Sequence, residues 1–368
     1  MDQAKNTKTA MASTAPAQYY IGLMSGTSLD GVDGVIVDQQ CQQVIAQTYQ
    51  PYDDSLKQSL RQLTQSGQTS LANLADVDIS VASVFANTAL ALLRKSDISA
   101  NQIIAIGSHG QTVFHQGGCY SMQIAHGALI AEQTGITTVA DFRMQDIAAG
   151  GQGAPLTPIY HQHLLSEQSG VVINLGGIAN ITQITADQVI GFDTGPANTL
   201  LDNWTQRIKL QDYDRDGLWS RSGLVDQNLL NQLLADDYFQ QQAPKSTGPE
   251  HFNIDWLSEY LTGNEAPEDV QRTLVELTAV SISAHIPTGV NVYLCGGGVH
   301  NAFLVERLAY LSPNSQIETT DELGIHADYV EAAAFAYFAK CTLNKQPSNL
   351  TAVTGAKQPR ILGAIYEI

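Results

Sequence analysis

The 368-residue chain is short of positive charge: 18 Lys and Arg stand against 36 Asp and Glu, a formal net charge of -18. A polyanion such as nucleic acid would be repelled unless a local basic patch offset this, and the sequence offers none. Cysteine is scarce as well. Cys41, Cys119, Cys295 and Cys341 lie far apart with no CxxC pair, which speaks against a structural zinc site or a disulfide framework and for buried reduced thiols. The most apolar late stretch, EAAAFAYFAKCTL, is interrupted by Lys340 and too short to span a bilayer. The opening MDQAKNTKTAMASTAPAQ lacks the apolar core of a secretory signal. These features predict a disordered polar tail over residues 1–18, a cytoplasmic location, and no membrane or nucleic-acid partner. Neither GxxxxGK[ST] nor, after the first strand, GxGxxG occurs. A nucleotide site would therefore need an architecture other than a P-loop or Rossmann domain.

What is present suits a well-buried α/β enzyme, with 43% hydrophobic and 15% charged residues. Strand-like runs (YYIGLM, VDGVIV, QIIAIGSHG, TTVADF, VVINLGG, NITQIT, VIGFDTG, NVYLCGGG) alternate with helix-like stretches at Leu71–Lys95, Ala128–Gly135, Thr199–Lys209, Asp226–Asp236, Pro267–His285 and Ala302–Leu311. That alternation predicts α/β layers. The unit YIGLM-SGTSLDG-VDGVIV has a counterpart in VVIN-LGGIAN-ITQIT, residues 171 to 185. Each is two strands around a loop too rich in small residues for packing alone. The repeat predicts two duplicated α/β domains, 19–140 and 141–368, that grip one ligand from two sides. The Gly- and Pro-rich DFRMQDIAAGGQGAPLTP reads as an irregular crossing segment.

The first loop gathers Gly26, Thr27, Ser28, Leu29, Asp30, Gly31, Val32 and Asp33. Glycine and small hydroxyl residues let backbone amides approach phosphate closely without a lysine. Two aspartates beside them make sense if Mg²⁺ lies between a carboxylate and the phosphates; the alternative is an ordinary Asp-Gly turn. Asp193, ending a strand in VIGFDTGPANTLLDNW, can take a proton from a hydroxyl or water, or serve as a turn or N-cap residue. Gly296, Gly297 and Gly298 in YLCGGGVHN permit close approach of a flat or charged ligand such as adenosine, or simply a tight strand-to-helix turn. His109, with Gln111 beyond it in GSHGQTVFH, follows a strand and can bond a polar ligand or be structural. Arg143 can fork onto a carboxylate or join a structural ion pair. Glu331 is a favourable acid in the first turn of an Ala-rich helix.

Taken together, MSGTSLDGVD, GSHGQTVFH, VADFRMQDIAAGGQGAPLTP, INLGGIANIT, GFDTGPANTLLD, PKSTGPEHFN and CGGGVHN resemble the anhydro-N-acetylmuramic acid kinase family, in order and spacing, from about Tyr19 onward. The resemblance implies the sugar kinase, actin and heat-shock ATPase superfamily: two duplicated actin-like (ribonuclease H-like) ATPase domains flanking a nucleotide cleft. It implies ATP and Mg²⁺, a homodimer, and a place in peptidoglycan recycling. The implied reaction opens the 1,6-anhydro ring of anhydro-N-acetylmuramic acid and phosphorylates O6, giving N-acetylmuramic acid 6-phosphate and ADP. By the same resemblance Asp193 is the base that deprotonates water, and Gly26 to Asp33 cradle the ATP phosphates, with Asp30 as the metal-side carboxylate. Gly176 and Gly177 grip the phosphates from the other domain, and Gly296 to Gly298 face the adenosine. His109, Gln111 and Arg143 line the sugar side, with Arg143 on the lactyl carboxylate, and Glu331 assists at the sugar. The chain departs from the family at Ala197, where a second glycine often follows Gly195-Pro196. Pro196 and the following helix favour ordinary φ there, so the methyl group is expected to be tolerated. A kinase for another amino sugar or polyol would share the phosphate loops, as would a catalytically dead ATP-binding regulator or an actin-like filament protein. The presence of Asp193 argues against the regulator, and no sequence feature requires the filament.

Overall fold

The computed structural model describes residues 18–26, 28–166 and 168–368. Residues 1–17 of the tail expected over 1–18, and Thr27 of the first loop, lie outside them.

Two sheets follow one plan. In the first, β1 (Tyr19–Ser25), β2 (Gly31–Val37) and β3 (Val44–Pro51) form an antiparallel meander. β4 (Ile103–Gln116) pairs parallel with β1 and carries β5 (Tyr120–Ile124) as a hairpin arm. β6 (Thr138–Ala140) lies parallel to β4. In the second, β7 (Gly170–Leu175), β8 (Ile178–Ile184) and β9 (Val189–Pro196) repeat the meander. β10 (Asn291–Cys295) runs parallel to β7, and β11 (Gln316–Thr319) parallel to β10. The shared order is β6-β4-β1-β2-β3 in one sheet and β11-β10-β7-β8-β9 in the other. Three antiparallel strands followed by two parallel ones, in that order, make the ribonuclease H-like sheet, so the expected actin-like fold class is the one adopted. The central strands β1 and β7 are buried on both faces and read as near-continuous apolar runs.

The helix Leu71–Ser96 starts at Ser70, whose hydroxyl caps the Asn73 N–H. It is, among the described residues, the one helix long and apolar enough to cross a membrane. Here it packs on β2, β3 and the helix Gly127–Thr134, burying Val77, Val81, Phe85 and Leu92 as core.

The late apolar stretch is a helix, Val330–Leu343, laid on β1 and β4. Gly22 of β1 sits beside Gly107 of β4. A Cβ on either would collide with a carbonyl of that helix, Ala332 or Phe335. The missing side chains let helix backbone rest directly on sheet backbone. The helix's other faces join Val172, Ile184, Tyr293 and Cys295 of the second sheet in one apolar cluster.

Three local expectations change. The stretch 141–368 contains this helix and β12 (Ala364–Tyr366), which pairs with β6 on the first sheet. His109 lies inside β4 rather than after it. The crossing segment is not wholly irregular, since Arg143–Ala148 is a short helix.

Candidate active site

The loop between β1 and β2 is held from beneath. The Ser25 hydroxyl lies 2.7 Å from the Gly31 carbonyl and 2.6 Å from Gln111 Oε1. Gln111 Nε2 donates to the Gly26 carbonyl at 3.1 Å. Gln111, expected on the sugar side, thus braces this loop. Leu29 and Val32 bury their side chains in the core, so at those two positions the loop presents backbone to a phosphate. The Ser28 hydroxyl donates to Asp30 Oδ1 at 2.7 Å. Asp33 is pushed up to about 7, first by burial and then by the negative charges of Asp30, Glu331 and Asp328.

On the second sheet the β7–β8 turn docks onto the start of the helix Asn198–Lys209. The Gly176 carbonyl accepts from Asn198 N–H, and the Gly177 carbonyl from Ala197 and Thr199 N–H. Ala197 has φ -126, so its methyl group is not forced into the left-handed region, as expected. Beyond β10, Gly296 takes φ 82, and a Cβ there would strike Asn174. Gly298 lies against Leu175, whereas Gly297 faces open space. The glycines of the two turns therefore meet at the ends of β7 and β10.

Asp193 sits within β9 opposite Asn180 of β8. It caps no helix. Its Oδ2 accepts from Ser246 Oγ at 2.9 Å and Thr247 N–H at 3.0 Å. Its own N–H donates to Lys245 O, and its carbonyl accepts from Tyr238 OH at 2.6 Å. Burial raises its carboxyl above the usual range, although the bonds from Thr247 and Ser246 pull the other way.

A cavity of about 140 Å³ adjoins, lined by Asn180, Arg143, Glu331, Phe335 and the wall 154–157. Arg143 Nε and Nη2 reach His109 Nε2 at 3.1 and 2.9 Å, and Nη1 donates to Gly153 O at 2.8 Å. An arginine only donates, so His109 accepts through Nε2 and carries its proton on Nδ1. Burial and the Arg143 charge keep that imidazole neutral, well below its ordinary pKa, and its ring packs on Phe335 at 4.6 Å. His109 thus orients Arg143. These contacts leave Arg143 one N–H on each terminal nitrogen, a fork suited to a carboxylate. Burial raises the Glu331 carboxyl and Arg143 lowers it.

The structure thus brings Asp33, Glu331 and Arg143 into one neighbourhood, with Asn180 linking their cavity to Asp193. Sequence reasoning missed Ser246, Thr247, Asn180 and Asp328 as site residues. Ser246 and Thr247 were visible only as hydroxyls in PKSTGPEHFN, and Asp328 only as an acid near the start of the helix carrying Glu331.

Twin ribonuclease H-like sheets with glycine turns at their strand ends, and a cavity holding Arg143 and Glu331, fit a kinase of the sugar-kinase and actin class. The chain belongs to the anhydro-N-acetylmuramic acid kinase family, whose model matches residues 18–368. It is 46% identical over 365 residues to the anhydro-N-acetylmuramic acid kinase of Coxiella burnetii, covering 95% of this chain and 98% of that one. It is 48% identical over 363 residues to the Pasteurella multocida enzyme of the same name, covering 95% and 96%. Among solved structures it is similar to the activator of 2-hydroxyisocaproyl-CoA dehydratase from Clostridium difficile with bound ADPNP. That match has a TM-score of 0.45 and 14% identity, over 89% of this chain and 96% of that one.

Proposed function

We propose that the protein opens the 1,6-anhydro ring of anhydro-N-acetylmuramic acid and phosphorylates O6 at the expense of ATP, in cell-wall recycling. The observation that carries this reading is the Asp193 carboxylate, tied through Oδ2 alone to Ser246 and Thr247, beside a cavity with a carboxylate fork. Oδ1 is left for a water molecule. Burial makes Asp193 a stronger base than a solvated aspartate. Asp193 takes a proton from water, and the water oxygen bonds the anomeric carbon. The C1–O6 bond breaks, its electrons stay on O6, and O6 attacks the γ-phosphorus as ADP leaves. The chain's part in the transfer is positioning and charge placement. Arg143 holds the lactyl carboxylate, the glycine turns hold ATP, and Glu331 contacts the sugar.

Asp30 and Asp33 would hold Mg²⁺. That ion takes one or two carboxylates and completes its shell with water and phosphate oxygens. Among the described residues no group of three or more His, Cys, Asp or Glu is arranged to cage a metal. The raised Asp33 carboxyl, crowded by like charges, is one that a cation would relieve. When bound, the ion neutralises phosphate charge. The homodimer and the cytoplasmic location implied by the resemblance belong to the same proposal, and sedimentation reads the first.

The test is ADP release with Mg²⁺-ATP and the anhydro sugar in ¹⁸O-water, for wild type and Asp193→Asn. Sugar-dependent turnover with one ¹⁸O at the anomeric carbon, lost in the variant, is expected. Turnover with another amino sugar instead would overturn the substrate and leave the kinase.

A further inference from the structure

Asp146 is a carboxylate with no exposed surface, 0%, and the proposed reaction gives it no role. It lies on the helix Arg143–Ala148, one turn beyond Arg143. Its Oδ2 accepts from Gly153 N–H at 2.8 Å. Its Oδ1 accepts from Asn349 Nδ2 at 2.6 Å and Thr354 Oγ1 at 2.7 Å. The carbonyl of the same Gly153 is the group that holds Arg143 Nη1. Gly153 is therefore pinned at its N–H by Asp146 and at its carbonyl by Arg143. Two main-chain bonds continue the seam, Gln152 N–H to Thr354 O at 2.8 Å and Lys357 N–H to Ala149 O at 2.9 Å. The residues that follow Gly153 are the cavity wall, Ala154 to Thr157.

We propose that Asp146 is a positioning residue for sugar recognition, coupling the C-terminal segment 349–357 to the orientation of Arg143 through Gly153. The inference rests on the reading that this cavity takes the sugar. A carboxylate can accept from all its donors at once, whereas an asparagine would turn an NH₂ against one of them. Charge-assisted bonds to a buried acceptor hold geometry firmly, and small displacements of a binding group are costly to catalysis.

The test uses the full chain with Asp146→Asn, Thr354→Val and Thr354→Ser. Hydrogen exchange over 150–157 is read together with KM for sugar and for ATP. Thr354→Val keeps the side-chain shape and removes one donor, so it keeps the measurement available should Asp146→Asn fail to fold. In Thr354→Val, exchange at Gly153 quickens and KM for the sugar rises about tenfold, while KM for ATP stays within about twofold. Thr354→Ser restores both. Unchanged exchange, or faster exchange with an unchanged sugar KM, or an equal rise in both KM values, overturns the coupling. If wild type turns over a different sugar, the substrate reading fails, and the same split measured with that sugar decides the coupling separately.

Discussion

One oxygen of Asp193 is committed to Ser246 and Thr247, and that division sets its chemistry. Asp193→Asn removes the base but keeps the shape, so kcat should fall by about 10²- to 10⁴-fold with unchanged circular dichroism. The base works ionised, so activity declines as pH falls through its raised pKa. Ser246 donates a bond that lowers that pKa. Ser246→Ala should therefore move the acid limb of the kcat/KM profile to higher pH. Asp33 gives a stability counterpart. Burial and its acidic neighbours push its carboxyl up to about 7, well above an ordinary aspartate at about 3.9. The folded state thus holds this proton more tightly, and stability is lost as pH rises from about 4 to about 7. Without metal, Asp33→Asn should melt higher than wild type at pH 8, by a few degrees, and match it near pH 4, as read by calorimetry. At this scale the sequence reveals single groups better than pairs. Asp193 stands out as a lone acid amid glycine and threonine. Its hydroxyl partner Ser246 lies 53 positions away, joined only by tertiary folding. Likewise nothing in GSHGQTVFH says that Gln111 turns back under Gly26 instead of toward the sugar.

Local pattern made several elements legible. The β1–β2 and β7–β8 hairpins announce themselves by apolar runs around small-residue loops. The helix expected over Leu71–Lys95 ends one residue later, at Ser96, because its apolar spacing follows its buried face. The short helix Arg143–Ala148 was hidden by the glycines and prolines after it. The seat of the helix Val330–Leu343 was also hidden, because Gly22 and Gly107 are neighbours only across strands. Either Gly22→Ala or Gly107→Ala places a methyl group against helix backbone that has no rotamer to yield. Each should cost about 3 kcal/mol or more in urea denaturation. Because that helix also carries Glu331 and Phe335, such variants should weaken sugar turnover beyond their loss of folded protein.

Over the whole molecule, the duplication was readable from the hairpins, but the return of the chain was not. The helix Val330–Leu343 and β12 complete the first sheet from the far end of the sequence. Contacts of such long separation must close a long loop before they reward it, which slows folding. A chain ending at residue 329 should thus lack a stable first half, giving rapid proteolysis across 19–140 where the full protein resists. On the ribosome, residues 19–140 emerge long before this helix does. They must wait with the furrow of Gly22 and Gly107 bare and the outer edge of β6 unpaired. An open strand edge of that kind recruits other chains, so the hazard of misassembly is greatest during synthesis and ends when residues 330–366 arrive to close both.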